Sequence, residues 1–162
     1  MIGENWGATT AERAEAMPCD DAFPEVSARL HRAITIDAPP ATVYRWLCQL
    51  RRAPYSYDLL DNFGRRSPRT LIPGLDRLEA GQRFMSIFRL TSFERNRQIT
   101  LRAKATAVTY ATRPFGESTR LLVRVLFAPG NRLLAAAAPA LALGDLVMMR
   151  KQLLTLKELA EA

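Results

Sequence analysis

The sequence predicts an α+β domain in which a curved antiparallel sheet wraps around a long C-terminal helix. Three observations support this. A strand followed by an amphipathic helical stretch comes early, apolar residues alternate from Gln82 onward, and helical spacing returns from Gly144 to the end. The chain has 162 residues, which suits one domain with one core. A curved sheet that closes on a single helix seldom fills its interior with side chains, so we expect an internal cavity for a ligand.

We expect residues 1–27 to form an arm that packs on a single ligand-binding domain formed by residues 28–162. Within the arm, the sequence from Thr9 to Glu12 has the Thr-x-x-Glu form of a capping box, which predicts a short helix that ends before Pro18. The Pro-Cys-Asp-Asp sequence that follows is typical of a turn, and Trp6 supplies an apolar anchor.

The first strand and helix of the domain follow from a change of apolar period. Leu30 to Ile36 alternates as a strand does, and the prolines at 39 and 40 end it. A helix is expected from about Pro40 to Arg51, because four apolar residues then recur at helical spacing. They are Val43, Trp46, Leu47 and Leu50. A second short helix is expected from Tyr57 to Asn62.

From Gln82 the alternation predicts a series of strands joined partly by tight turns. The first is expected to present Phe84, Ser86, Phe88 and Leu90 on one face. The later strands present Ile99, Leu101 and Ala103, then Val108, Tyr110 and Thr112, then Leu121, Val123, Val125 and Phe127.

The terminal helix is expected to be capped by Gly144-Asp145. Its apolar stripe consists of Leu146, Met149, Leu153, Leu156 and Ala160. Gln152 lies at the margin of that stripe, where its amide could face the cavity or point away from it.

Charge and composition exclude several classes of protein. The net charge is +7, but the basic residues are spread along the chain, so we expect a solvated basic surface and not a nucleic-acid partner. Arg89, Arg102 and Arg124 alternate with the apolar runs and are expected to face solvent. If their side of the sheet is the concave one, they would instead anchor an anion.

With two cysteines and one histidine, His31, the chain offers no disulfide framework and no multi-histidine metal site, and we expect no cofactor. His31 is interpreted as a surface or satisfied core residue, with acid-base chemistry as the alternative. No segment reaches the roughly 18 apolar residues of a membrane span. The polar start lacks the pattern of a secretory signal, so a cytoplasmic location is expected. The oligomeric state, monomer or homodimer, is left open.

The block Pro54-Tyr-Ser-Tyr-Asp-Leu-Leu-Asp-Asn62 is the most unusual local feature, with two phenols and two carboxylates in nine residues. Tyr55 and Tyr57 could hold or protonate a ligand carbonyl, with Asp58 or Asp61 accepting a proton. In the structural alternative, Asp58 caps a helix, Asp61 is solvated and Asn62 adopts a left-handed turn. The ligand-binding residues expected from the whole sequence are Tyr55, Tyr57, Asn62, Phe88, Tyr110, Met149 and Gln152.

Several motifs together resemble the START-related, Bet v 1-like superfamily, which includes polyketide cyclases and aromatases. They are the strand Ile34-Thr35-Ile36, the junction Asp37-Ala38-Pro39-Pro40, the helix sequence Val43-Tyr44-Arg45-Trp46-Leu47, Thr119-Arg120-Leu121 and the terminal helix from Gly144. A bacterial branch of mostly unknown function is similar in Asn5-Trp6-Gly7-Ala8-Thr9, Pro18-Cys19-Asp20-Asp21 and Tyr55-Ser56-Tyr57-Asp58 with Asp61-Asn62.

The resemblance implies a helix-grip fold with an internal cavity. Members of the superfamily bind lipids, hormones and polyketides, catalyse cyclisations or assist chaperones, so the fold alone does not select an activity. This chain departs from the branch in having the short Arg51-Arg52-Ala53 where related sequences carry a glycine-rich run.

Three functional hypotheses follow. The first is the binding of a small hydrophobic ligand, such as a polyketide, lipid or isoprenoid, in the cavity. The alternative is an enzyme of the cyclase, dehydratase or aromatase kind, without metal or organic cofactor, in which Tyr57 and Asp58 form the acid-base pair. The third is a protein-interaction module that uses the arm and the basic surface.

Overall fold

One open, curved sheet organises the molecule, for which the computed structural model describes residues 2–61 and 63–162. The strands are β1 (Asn5–Trp6), β2 (Ala28–Ile36), β3 (Arg83–Phe84), β4 (Phe88–Glu94), β5 (Gln98–Arg102), β6 (Thr106–Phe115) and β7 (Ser118–Phe127). Their order across the sheet is β1-β2-β7-β6-β5-β4-β3, and all neighbours are antiparallel except β1 and β2.

Five α-helices complete the described part of the chain, and the last is by far the longest. They are α1 (Thr10–Ala14), α2 (Pro40–Cys48), α3 (Asp58–Asp61), α4 (Arg132–Ala136) and α5 (Ala138–Glu161). A 3-10 turn, Gln49–Arg51, continues α2 to the end expected from the sequence. The α+β, helix-grip prediction is confirmed. None of the helices described in residues 2–61 and 63–162 has both the length and the apolar character needed to cross a bilayer.

The capping box predicted in the arm is present. The Thr9 amide donates to the Glu12 carboxylate at 2.8 Å, and the Glu12 amide donates to the Thr9 hydroxyl at 3.2 Å. This exchange satisfies two amides that the start of a helix leaves without an intrahelical partner. It fixes α1 even though its residues bury no side chain fully.

Two sequence-based expectations about element boundaries are wrong. Phe84 and Phe88 do not share one strand but face each other across a tight turn, in which Met85 and Ser86 have positive φ angles of 44° and 66°. Gly144-Asp145 does not cap the terminal helix, which begins six residues earlier at Ala138, with Pro139 in its first turn. Proline lacks an amide hydrogen and fits that position, so it marks the start of the helix.

The two faces of the sheet bury different partners. On the concave face, alternate residues of β7 such as Val123 and Val125 join the main core with α2 and α5. On the convex face, Leu122 and Leu126 form a smaller cluster with Met17 and Cys19 of the arm. The sheet is therefore covered on both sides.

Arg124 lies on the convex face, but the expectation that it faces solvent is wrong. It is 1% exposed because the arm covers it, and its guanidinium donates to the Asp20 carboxylate at 2.6 Å. Similar ion pairs join Arg120 to Glu12 and Arg113 to Glu15. The arm is acidic where the convex face is basic, and this complementarity holds it in place. Arg89 and Arg102 are exposed, as expected.

Candidate ligand cavity

A cavity of about 600 Å³ lies between the concave face of the sheet and α5. Its volume is within the range of small-molecule sites. Most of the lining is apolar. The lining residues are Pro54, Ser56, Phe63, Met85, Ser86, Ile87, Phe88, Thr106, Val108, Tyr110, Val125, Phe127, Ala140, Leu141, Gly144, Asp145, Met148, Met149 and Gln152.

The rim of this cavity carries large apolar side chains in contact with water. Phe63 is 89% exposed and Ile87 is 71% exposed, while Leu141 and Met148 of α5 are about two-fifths exposed. These four residues all belong to the lining. The cavity is therefore open to solvent through an apolar entrance.

Inside the cavity, Tyr110 and Gln152 form a hydrogen-bonded chain. The Tyr110 hydroxyl donates to the Gln152 side-chain oxygen at 2.7 Å, and the Gln152 amide donates to the carbonyl of Pro54 at 2.6 Å. Burial, with a smaller contribution from the Asp145 charge, raises the pKa of Tyr110, so it remains a neutral donor. Because each partner is satisfied, the amide of Gln152 has a fixed orientation.

The second polar feature of the wall is an ion pair between β2 and α5. Arg32 is fully buried and donates to the Asp145 carboxylate at 2.8 Å and to the carbonyls of Glu4 and His31. Burial raises the pKa of Asp145 to about 6, and the charge of Arg32 opposes that rise only in part. A carboxyl group that ionises near neutral pH therefore lies in the wall of the cavity.

The structure places four of the expected ligand-binding residues in the cavity lining. These are Phe88, Tyr110, Met149 and Gln152. Phe88 lies next to the turn that separates β3 from β4, and the other three come from β6 and α5. Their part in binding a ligand stays a prediction.

Tyr55 lies beside the cavity, in the wall of a smaller and more polar pocket of about 280 Å³. We call this the polar pocket. Its lining residues are Tyr55, Ser56, Asp58, Arg66, Ser67, Arg69, Lys151, Thr155, Glu158 and Leu159. The Tyr55 ring is buried and packs edge-on against Trp46, with ring centroids 6.2 Å apart. Ser56 belongs to the lining of both spaces.

Tyr57 and Asp58, the acid-base pair proposed from the sequence, lie in different surroundings. Tyr57 is 39% exposed and belongs to the lining of neither space. Asp58 accepts hydrogen bonds from the amide and the hydroxyl of Ser67 in the wall of the polar pocket. Asn62 lies outside the described residues.

The ion pair of Arg32 and Asp145 was missed at the sequence level, although two signals pointed to it. Arg32 alternates with Leu30 and Ile34, so it is a charge on the apolar face of its strand. Asp145 precedes Met149 by four residues and therefore lies on the buried stripe of α5. A charge on each of two apolar faces indicates a buried pair.

No group of three or more His, Cys, Asp and Glu side chains that could hold a metal ion occurs within residues 2–61 and 63–162.

Comparison with known proteins shows the fold. No protein-family model and no curated protein sequence matches the chain. The solution structure of the KanY protein matches with a TM-score of 0.59 at 13% identity, covering 83% of this chain and 98% of that one. A crystal structure of a protein from Rhodobacter sphaeroides matches with a TM-score of 0.53 at 17% identity, covering 83% and 93% of the two chains.

A solution structure of the Polyketide_cyc-like protein Cgl2372 from Corynebacterium glutamicum matches at 14% identity with a TM-score of 0.49, covering 83% of this chain and 91% of that one. At 13% and 17% identity, the KanY and Rhodobacter sphaeroides matches show that the chain shares the fold of those proteins, and nothing more. The fold is compatible with ligand binding, and at these identities it selects no ligand and no reaction.

Proposed function

We propose that this protein binds a small hydrophobic molecule, of the polyketide, lipid or isoprenoid kind, in the cavity between the sheet and α5. The observation that carries the proposal is the mainly apolar cavity of about 600 Å³ with an exposed apolar rim. Exposed apolar surface around a concave site is typical of a binding site for an apolar partner.

The polar groups of the wall limit what the ligand can carry. Tyr110 and Gln152 already satisfy each other, so they offer little to a ligand with many polar atoms. Affinity then comes mainly from apolar burial, at roughly 25 cal/mol for each Å² removed from water. The Asp145 carboxylate can accept a hydrogen bond, so a hydroxyl on an otherwise apolar ligand suits the site.

Phe88 and Met149 supply apolar wall in this proposal, while Tyr110 and Gln152 supply a hydrogen-bonded wall of fixed shape against which the ligand packs. Tyr55 acts from the polar pocket. Contributions of Tyr57 and Asn62 stay predictions.

A cavity-filling substitution tests the proposal directly. A Cβ atom added to Gly144 of α5 meets no atom within 4 Å, and Gly144 lines the cavity, so Gly144→Phe places a ring there without a backbone clash. We expect the variant to bind the neutral fluorescent probe N-phenyl-1-naphthylamine at least about tenfold more weakly than the original protein.

Gly130→Phe is the matched control, because a side chain at Gly130 also has open space but Gly130 is absent from the cavity lining. It should leave probe affinity unchanged. Equal binding by the original protein and by Gly144→Phe would contradict the proposal, since the probe would then lie elsewhere.

The alternative is a cyclase or dehydratase that uses the same cavity. Asp145, with a pKa raised to about 6, favours this possibility because a general acid or base works best near its own pKa. Tyr57 and Asp58, the pair proposed from the sequence, are absent from the lining of this cavity, and Asp58 lines the polar pocket beside it. An enzyme that depends on Asp58 should lose turnover by roughly a hundredfold in Asp58→Asn, whereas a carrier should keep its affinity.

A further inference from the structure

The polar pocket differs from the neighbouring cavity in its charge. It is lined by two arginines and a lysine, Arg66, Arg69 and Lys151, and by two carboxylates, Asp58 and Glu158. Positive charges therefore exceed negative ones by one. A volume of about 280 Å³ is sufficient for a carboxylate or a phosphate group.

Both carboxylates of the pocket already have partners. Asp58 accepts two hydrogen bonds from Ser67, and Glu158 forms an ion pair with Arg69 at 2.5 Å. Arg66 and Lys151 have no carboxylate partner among residues 2–61 and 63–162. The pocket thus combines two engaged anions with two unpaired cations, an arrangement that attracts an anion.

Tyr55 adds an unused hydrogen-bond donor to the same wall. Its ring is 1% exposed, and its hydroxyl is buried with no hydrogen-bond partner in the described part of the chain. Leaving such a group unsatisfied is unfavourable, so a ligand atom that accepts from it would bind more tightly. Tyr55 also has a positive φ of 56°, which is uncommon for a residue with a bulky side chain. Burial, followed by the charge of Asp58, raises the pKa of Tyr55 to about 12, so the hydroxyl keeps its proton at neutral pH.

The polar pocket and the cavity are neighbours along α5. Pro54 and Gln152 line the cavity, Tyr55 and Lys151 line the polar pocket, and Ser56 lines both. A single molecule can therefore place its apolar part in one space and its head group in the other.

We propose that the polar pocket binds the anionic group, carboxylate or phosphate, of an amphiphile whose apolar part occupies the cavity. Arg66 and Lys151 attract the charge, and the Tyr55 hydroxyl donates to it. This inference rests on the proposed function, because the cavity must hold the apolar part.

Ligands of equal chain length but different head groups test the anion site in the polar pocket separately from apolar binding in the cavity. Dodecanol, dodecanoate and dodecyl phosphate compete with N-phenyl-1-naphthylamine for the protein, and inorganic phosphate is measured alongside them. We expect at least one of the two anionic amphiphiles to displace the probe at a concentration about tenfold or more below that of dodecanol. The preferred head group identifies the anion as carboxylate or phosphate.

Three other results with these ligands would overturn the proposal in different ways. Equal displacement by all three amphiphiles overturns the anion site and leaves the proposed function intact. Failure of all three to displace the probe overturns both. If inorganic phosphate protects the protein against thermal unfolding as strongly as dodecyl phosphate does, the proposal that the ligand is an amphiphile is overturned. The polar pocket is then a site for a free anion.

Two substitutions test whether the preference for an anionic head group arises in the polar pocket. Tyr55→Phe removes only the hydroxyl, and Lys151→Gln removes only a charge; each should reduce the preference for the anionic amphiphile about fivefold or more and leave dodecanol unchanged. Arg150→Gln is the matched control for net charge, because Arg150 stacks over Trp6 and lies outside the pocket lining. An unchanged preference in both Tyr55→Phe and Lys151→Gln overturns the assignment. Urea unfolding of Tyr55→Phe confirms that the variant is folded, since the lost hydroxyl has no partner to miss.

Discussion

Arg32 and Asp145 join the second strand to the terminal helix through a buried ion pair of 2.8 Å at the wall of the cavity. The Arg32 side chain is fully buried, and its Nε is a donor with no partner in the described residues. Taking two charges out of water is costly, so this pair is weak evidence for stability and better evidence for a defined site. Its consequences can be measured.

Removal of one partner should destabilise the protein strongly. We expect Asp145→Leu to lower the free energy of unfolding by about 3 kcal/mol or more, because Arg32 would lose both the charge and the hydrogen-bond acceptor that compensate its burial. Replacing both residues, in Arg32→Met with Asp145→Leu, should cost much less than the single change. Urea denaturation measures both. Glu94→Gln, which breaks the exposed pair with Arg97, is the control and should have little effect on stability. An Asp145→Leu variant as stable as this control would show that the pair is absent in solution.

Stability should fall as the pH drops below neutrality because of His31. Burial, followed by the nearby charges of Arg124, Arg13 and Arg29, lowers the pKa of His31 to about 4. In the unfolded chain His31 therefore binds a proton below about pH 6.5, whereas in the folded chain it does so only below about pH 4. We expect a loss of about 1–2 kcal/mol from pH 7 to pH 5 that is absent in His31→Gln. Urea unfolding at the two pH values tests this, and an equal slope in both proteins would contradict it.

Asp145 should act in the opposite direction over nearly the same range. Its pKa is raised to about 6, so between about pH 6 and 4 the folded state binds a proton more readily than the unfolded state. Protonation of Asp145 therefore offsets part of the loss caused by His31. Asp145→Asn should show a steeper fall in unfolding free energy across this range than the original protein. An equal fall would mean that Asp145 titrates at its ordinary pKa, and a shallower fall that it titrates below it.

Glycine in the middle of α5 should be a weak point of the helix. Gly144 has helical geometry and open space around the position of a Cβ atom, so alanine fits without strain. We expect Gly144→Ala to raise the free energy of unfolding by about 0.5–1 kcal/mol, because the unfolded chain loses freedom and the helix gains propensity. Gly74→Ala is an instructive control. Gly74 has a positive φ of 83°, so alanine there should be neutral or destabilising.

Contacts of the arm should depend on Asp20. Its carboxylate accepts from the buried Arg124 at 2.6 Å, and a second oxygen pairs with Arg29. We expect Asp20→Asn to destabilise the protein by about 3 kcal/mol and to speed amide exchange in β6 and β7, which pack under the arm. Glu15→Gln is the matched control, because its partner Arg113 is partly exposed and the loss should stay under about 1 kcal/mol. Equal effects of the two changes would show that burial of Arg124 does not matter.

Local patterns in the sequence were sufficient for most of the elements, but not for β1, α4, the turn between β3 and β4 or the start of α5. Alternation in β5, β6 and β7, the capping box at Thr9 and the helical stripe through Met149 and Leu153 each depend on residues close in the chain. The order of those elements then predicted a curved sheet that closes on the last helix, with a cavity between them. Phe88, Tyr110, Met149 and Gln152 could be expected at that cavity because each belongs to a face whose direction the alternation or the stripe determines.

The tertiary structure alone decided the environment of the charged and phenolic side chains. Arg124 is buried because an acidic arm from the other end of the chain covers it, and Arg32 is buried because Asp145 lies opposite it on α5. Tyr55 turned inward beside Trp46 while Tyr57, two residues later, reached the surface. The reason is physical. Whether a charge or a hydroxyl is buried depends on the partner that compensates its desolvation, and for both arginines that partner lies about a hundred residues away, beyond the reach of any local pattern.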